Sequence, residues 1–359
     1  EALAAHAHER LEALNARYLA QPFYFLHRRR LWNPAQGVWM GWERKRGKLH
    51  ELNRLLRGAD DTSFAWIYGE RGELAAVRYV ITLDADTVLP REGAARLVGT
   101  LAHPLNTARF DPASGRVGTG YTVLQPRVEI KPTSAERSLF TRVFAGDTGL
   151  DLYTLAVSDT YQDLFGAGIY IGKGIYDVDA FERSLQGRIP ENTLLSHDLF
   201  EGIHGRAGLV TDVVVYEDYP PNYLVDVRRA HRWVRGDWQL LPWLLPVTPR
   251  TAGRLVTSAP NDLPLIDRWK IFDNLRRSLL PVALLALFLL GWTLLPGSPA
   301  AWTLFGLLTP LVALVAGTLS STIRMWRHTK SIAWHELLRQ LRDAALRWLL
   351  YLAFLPVEA

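Results

Sequence analysis

The sequence predicts an α/β domain followed by membrane helices, and three observations carry that expectation. Residues 79–83 form a short apolar, β-branched run that ends on two carboxylates one residue apart, Asp84 and Asp86. Further strand-like and helix-like segments follow one another over residues 1–265. Beyond Leu275 the apolar residues pile up, and the stretches 279–295 and 300–320 carry no charge.

With 359 residues the chain has room for one large or two ordinary domains. The formal net charge is +5, and arginine dominates the basic set. That balance suits phosphorylated ligands and anionic membrane surfaces. Nucleic acid fits less well, because neither a basic low-complexity tail nor a nucleic-acid motif is present. The lack of cysteine excludes disulfides and Cys-based zinc sites and fits a reducing compartment. The chain opens without an initiator Met or a signal peptide, inside an Ala/Leu/Glu helical pattern, and reads as a piece of something longer.

Residues 1–19 read as a helix and 23–27 as a short aromatic strand, before a Trp/Gly-rich loop over 32–42. Gly47 and Lys48 fall at the expected loop-to-helix junction, where backbone N–H groups and a cation can meet a phosphate. The 79–83 run reads as a buried strand. Ligands in open α/β sheets sit at the carboxyl ends of strands, so Asp84 and Asp86 are candidates to hold a divalent cation that in turn holds a diphosphate. A bare Asp-x-Asp also occurs in solvated turns; the strand in front of this one and its downstream partners raise it above that. Residues 92–101 look helical and 104–120 loop-like. Residues 121–128 alternate as a strand that Pro126 places at an edge or an end, and 134–144 look helical.

Residues 146–174 are dense in glycine and aromatics without the order of a P-loop. They resemble a sugar platform more than a phosphate cradle, and a tight structural turn fits as well. Ser196 is a candidate cap for a helix with Asp198 in its first turn, where the dipole favours an ionised carboxylate able to act as a general base. Residues 209–216 form another apolar strand. The helix after Pro221 shows Arg229, Arg232 and Trp233 on one face. Arginine pairs suit a pyrophosphate and Trp stacks on sugar rings, while an amphipathic helix on a membrane has the same pattern.

The membrane region is expected over 266–359, after a soluble domain of 1–265. Spans at about 279–295 and 300–322 are joined by an uncharged connection, with Arg276 and Arg277 before them and Arg324, Arg327 and Lys330 after. By the positive-inside rule this is a hairpin with both ends in the cytoplasm; a buried soluble hairpin is the alternative. Residues 332–347 read as an interfacial helix, and 348–356 begin a third apolar segment.

Taken in order, Gly47-Lys48-x-x-x-Leu52-Asn53, Asp84-Ala-Asp86, Asp198 and Arg229-x-x-Arg232-Trp233, followed by membrane helices, resemble the processive inverting glycosyltransferases that include cellulose and hyaluronan synthases. In that family the last motif is usually Gln-x-x-Arg-Trp and the base motif Thr-Glu-Asp. Here Arg229 replaces the Gln, and the base motif is Ser196-His197-Asp198. These departures, with residues 161–165, 172–178 and 231–239, look like the glycosyltransferase domain of bacterial cyclic β-1,2-glucan synthases over nearly the whole chain.

The resemblance implies a GT-A-like nucleotide-sugar-binding sheet lacking its first strand. It implies UDP-glucose as donor, Mg²⁺ or Mn²⁺ as cofactor, and a growing glucan as acceptor. It also implies a multi-pass protein of the bacterial inner membrane with a cytoplasmic catalytic domain. Asp84 and Asp86 would hold the metal; Lys48, Asp84, Asp86, Arg229 and Arg232 would contact the donor. Asp198 would be the base, and Trp233, Gln125 and Tyr170 would meet the acceptor. Relatives also carry amino-terminal and phosphorylase-like segments outside this chain, so the chain alone is expected to bind UDP weakly and make no glucan. Two other expectations stay open: a related synthase making another linkage, and a membrane protein that binds nucleotide-sugar without turnover.

Overall fold

Alternation of side chains along short strands builds the central sheet. In the computed structural model, Tyr79–Thr82, Gly174–Asp177, Val123–Ile130 and Gly208–Glu217 lie side by side in that order. The structure describes all residues except 1, 19, 21, 70, 146–158, 195, 253–254 and 330–333. Tyr79–Thr82 runs antiparallel to Gly174–Asp177, which runs antiparallel to Val123–Ile130.

Val123 pairs with Tyr176 and both enter one core; Leu124 pairs with Ile175 and both enter another. This is the period of two expected of strands buried on both faces. Leu56 of the helix Arg44–Leu56, with Val178 and Phe181 of the helix Val178–Leu185, covers the first face. Leu97 and Leu101 of the helix Gly93–Ala102 cover the second. Burying each such side chain contributes about 1.5–3 kcal/mol.

Hydrogen bonds position the helix Arg44–Leu56. Asn53, buried, accepts from the Tyr176 hydroxyl at 2.8 Å and donates to Glu182 at 2.7 Å. Glu51 accepts from the Arg28 guanidinium at 2.9 Å and from the Ser63 N–H at 2.7 Å. Gly47 is required here, because a Cβ would sit 2.1 Å from the Trp42 carbonyl oxygen. The Gly47–Asn53 motif therefore serves packing. The helix also starts at Arg44, earlier than expected, and the Gly47 N–H donates to the Glu43 carbonyl at 3.0 Å instead of facing a loop.

Several other expectations change. Residues 79–82 form an edge strand, half-buried rather than buried, because Gly174–Asp177 is its one neighbour in the sheet among the described residues. Val123–Ile130, expected to lie at an edge or to end at its Pro, is interior. Its pairing with Gly174–Asp177 ends at Leu124, so the missing N–H of Pro126 breaks no bond to that neighbour. The 32–42 loop is a hairpin of Leu31–Asn33 and Val38–Met40, with Trp32 opposite Trp39. The 134–144 helix is two, Pro132–Ala135 and Leu139–Phe144, because Ser138 starts the second with a capping box. Part of the Gly/aromatic stretch (146–158), Lys330 and the start of the 332–347 segment lie outside the described residues.

The chain forms two compact units. One comprises Glu1–Arg127, Tyr153–Val215 and Gln239–Asp267; the other comprises Val128–Leu152, Tyr216–Trp238 and Arg268–Ala359. The second unit thus takes more than the expected 266–359. In it, Leu280–Thr293 packs on Pro299–Thr329 at two glycines: a Cβ on Gly291 would lie 2.6 Å from Trp302, and one on Gly306 would lie 2.4 Å from Phe288. Trp334–Glu358 runs on as one helix through the expected interfacial and third apolar segments.

The two uninterrupted spans are not found as such. Among the described residues no single helix is long and apolar enough to cross a membrane. Leu280–Thr293 has 14 residues, about 21 Å of helix, short of a bilayer core of about 30 Å. It forms a bent pair with Leu265–Ser278 at 47° that passes the length and composition test together, and Pro299–Val312 is a shorter apolar helix. Pro281 at the start of the second helix explains the break, because its ring displaces the carbonyl four residues back and it has no N–H to offer.

The buried Arg28–Glu51 pair supplies a stability prediction. Removing one partner strands the other, so Arg28→Ala should cost about 3–5 kcal/mol in denaturant or thermal unfolding. Burial pushes Glu51 up, but its bonds to Ser63 and Arg28 outweigh this and hold the carboxyl below its ordinary 4.5. A depressed acid contributes above its unfolded value, so this stability should be present above pH 4.5 and fade as the pH falls below it.

Candidate functional site

Asp84 lies two residues past the end of Tyr79–Thr82. Its backbone N–H donates to Thr87 Oγ1 at 3.2 Å, and the Thr87 N–H returns to the Asp84 carbonyl at 3.1 Å. This closed turn leaves Asp86 exposed. The Asp84 carboxylate accepts from Lys45 Nζ at 2.7 Å, and its second oxygen lies 3.3 Å from Lys173 Nζ. Burial alone would raise Asp84, but the Lys45 hydrogen bond and charge, with Lys173, hold it below the usual carboxylate range.

Gly172 joins this carboxylate to the next. Its carbonyl accepts from Lys45 Nζ at 2.9 Å and from Thr82 Oγ1 at 3.3 Å. Its φ is +84°, and a Cβ here would meet Asp198 Oδ1 at 2.4 Å. One backbone position thus touches the lysine of the first carboxylate on one side and the second carboxylate on the other.

Asp198 opens the helix Asp198–Gly205, as expected, but the residue at the cap is His197, not Ser196, and it makes no side-chain cap bond. The Asp198 side chain is 29% exposed, while its Oδ1 is buried without a hydrogen bond. His197 and Glu201 are buried. His197 Nδ1 lies 2.8 Å from Glu201 Oε1 and 3.5 Å from Asp198 Oδ1. Burial opposes charge on the His197 ring, but the Glu201 and Asp198 carboxylates outweigh it and push its pKa up. Burial lifts Glu201 too, against the pull of His197, so the two compete for one proton. The ring, flanked by two carboxylates, holds it.

The other candidates fall in different settings. Lys48 stands one turn from Lys45; burial and the charges of Lys45 and Arg28 lower it, while Asp84 pulls it back. Gln125 is buried and acts as a strut, accepting from the Ile171 N–H at 2.9 Å and so holding the approach to Gly172. Tyr170 is 1% exposed, its hydroxyl 3.2 Å from Thr82 Oγ1, and its ring packs with Val123, Tyr176 and Phe181. A ring buried among these side chains offers no face to a sugar, so Tyr170 is a core residue in this structure. In the second unit, Arg229 donates to Asp226 at 2.8 Å and lies over the rings of Trp233, at 4.7 Å, and Tyr219, at 5.3 Å. Arg232 and Trp233 are exposed on the helix Tyr223–Trp238.

Sequence reasoning missed Lys45, Lys173, Gly172, His197 and Glu201 as site residues. Two signals were available: Lys45 precedes Lys48 by one turn, and His197 precedes Glu201 at i,i+4 spacing on a helix. For a cation, Asp84 and Asp86 offer hard oxygen donors at a strand end, the chemistry that Mg²⁺ or Mn²⁺ takes. Among the described residues, the group whose three His/Asp/Glu donor atoms lie within 4.8 Å of one another is His197, Asp198 and Glu201. Two of those three are buried, and the ring nitrogen that faces the carboxylates is taken by the ion pair, so we read this group as a charge pair.

A helix-covered sheet with Asp84 past a strand end and Asp198 at a helix start carries the site, and sequence similarity places the chain among the β-glucan synthases. Over 321 residues, 87% of its length, the chain is 48% identical to cyclic beta-(1,2)-glucan synthase NdvB of Rhizobium meliloti (strain 1021). The chain belongs with the cyclic β-glucan synthases as a related domain. It spans 11% of that relative's length. No family model matches the chain.

Gly172→Ala tests the geometry directly. The left-handed φ alone costs an L-residue about 1–2 kcal/mol, and the new Cβ must displace Asp198. The variant should unfold at lower denaturant and, in a structure of it, carry the Asp198 carboxylate away from residue 172.

Proposed function

We propose that this chain is a glycosyltransferase domain that transfers glucose from UDP-glucose to a growing β-1,2-glucan. The observation that carries the reading is the contact of Asp198 with Gly172, whose carbonyl is bound by the lysine of Asp84. It brings one carboxylate held by cations beside one that is partly exposed. The similarity to a cyclic β-(1,2)-glucan synthase supports the product.

The Lys45 and Lys173 ammonium groups turn from Asp84 to the phosphates of a bound diphosphate, leaving Asp84 and Asp86 to hold a divalent cation. That cation would supply neutralisation of the departing diphosphate. Asp198 takes the proton from the acceptor 2-hydroxyl as the oxygen attacks C1. The bond from C1 to the phosphate oxygen breaks on the opposite face, and UDP leaves. An α-linked donor attacked in line gives a β product, so a single base suffices and the carboxylate pair of glycosidases is not needed. Arg232 and Trp233, exposed on their helix, keep chemistry suited to a phosphate and a sugar ring.

The second unit supports a membrane setting for this activity. Leu289, Leu290, Leu304, Phe305 and Leu308 are exposed on the glycine-packed helices, the apolar outside and small-residue inside of helices that pair in lipid. In this reading the bent pair Leu265–Ser278 and Leu280–Thr293, with the helix Pro299–Thr329, enters the inner membrane as a hairpin with its ends in the cytoplasm.

Two experiments test the proposal. Asp198→Asn keeps the size but cannot take the proton. UDP-glucose should bind normally, while kcat falls by about 10²-fold or more; a loss confined to donor affinity would make Asp198 a donor contact instead. For the hairpin, Ser298→Cys introduces the sole thiol. An impermeant reagent should label it from outside the cell, and labelling from the cytoplasmic side alone would contradict the orientation.

A further inference from the structure

The mechanism uses Asp198 but leaves two buried ionisable groups beside it unexplained. Glu201 is 1% exposed. Its Oε1 lies 2.8 Å from His197 Nδ1, and its Oε2 is buried without a hydrogen bond. A buried ion pair is weak evidence for stability, because apolar residues of the same volume would do as well or better. A pair in this position needs another reason, and its neighbour supplies one. The same ring nitrogen lies 3.5 Å from Asp198 Oδ1, the buried oxygen of that carboxylate. The exposure of Asp198 therefore comes from the rest of the carboxylate, the part that an acceptor hydroxyl can reach.

We propose that Glu201 and His197 act as positioning residues, a carboxylate–imidazolium pair whose charge lies beside the inner oxygen of Asp198 and keeps its outer oxygen aimed past Gly172. This rests on the reading of Asp198 as the base. Four elements face the pair. On the helix they share, Asp198 and Glu201 flank His197. From the helix Arg44–Leu56, the positive charge of Arg46 acts on both. From the neighbouring loop and strand, Tyr170 and Tyr176 lie close enough to feel the charge of Glu201. Arg46 opposes a second positive charge, so the carboxylates on either side of the ring are what keep His197 charged. A positive charge beside a carboxylate favours its charged form, so loss of the ring is expected to show in the pH profile of transfer. When Asp198 takes the acceptor's proton, its negative charge is lost, and the pair Glu201–His197 remains neutral in sum, so no unbalanced charge is left buried.

The test uses the intact protein in membranes, with UDP-glucose transfer followed against pH. His197→Gln removes the cation beside the base. Its kcat should lose activity on the acid side at a pH higher by about one unit, with KM for UDP-glucose little changed. Glu201→Gln leaves the ring without its counter-charge. An NMR titration of a ring-labelled His197 should then show it losing its proton at a lower pH than in the parent. The double variant His197→Gln with Glu201→Gln removes both charges at once, strands neither, and should reproduce the raised acid limb even if Glu201→Gln alone folds poorly. An acid limb that stays in place in both His197→Gln and the double variant would reduce the pair to a structural role. Divalent-cation binding that His197→Gln abolishes and Asp86→Ala leaves unchanged would overturn the proposal in favour of a metal centre. Normal turnover by Asp198→Asn would remove the base itself, an outcome separable from either.

Discussion

Gly172 has no side chain, and the geometry of the candidate site depends on that. Its carbonyl takes the Lys45 ammonium and the Thr82 hydroxyl, and its Cα lies where Asp198 Oδ1 leaves no room for a Cβ. Three segments far apart in the chain meet there: the first turn of a helix, the end of an edge strand, and the start of a second helix. Gln125 holds the approach by accepting from Ile171. The loop before Gly174–Asp177 is thus clamped from both sides, and the carboxylates it separates inherit their relative placement from it.

The two carboxylates have partners of different kinds. Asp84 is ionised by two ammonium groups on flexible stems, which a phosphate can draw away. Asp198 faces a ring held in place by a buried glutamate. Flexible partners suit a group that must exchange ligands, and a rigid partner suits one that must hold a single aim. Environments that treat two acids unlike each other are the usual way for one site to assign them separate tasks.

In the second unit, packing falls on glycine again, but for another purpose. Gly291 and Gly306 admit Trp302 and Phe288, so the two helices approach closely while their leucines remain outside. The Pro281 break separates the amphipathic helix Leu265–Ser278 from the short apolar helix Leu280–Thr293, bent at 47° to it. The apolar content was legible; the length of each helix depended on one ring and one absent N–H.

Read without a structure, the chain discloses its strand ending in Asp84, the helix opening at Asp198, the amphipathic helix of Arg229 and the apolar carboxyl-terminal region. Each of these is local, set by alternation, helical spacing or the charge of a few neighbours, and the order of its motifs was enough to point to a family of glucan synthases. The tertiary structure decided the rest. It made Tyr79–Thr82 an edge and Val123–Ile130 interior, because strand order depends on partners about 50 to 100 residues away in the chain. It put Tyr170 in the core, where its aromatic ring packs among apolar side chains. It gave Asp84 to Lys45 and Lys173, and Asp198 to His197, because a charge finds its partner through space. A pattern of residues determines which groups a chain has to offer, whereas burial and long-range contact determine which of them face each other.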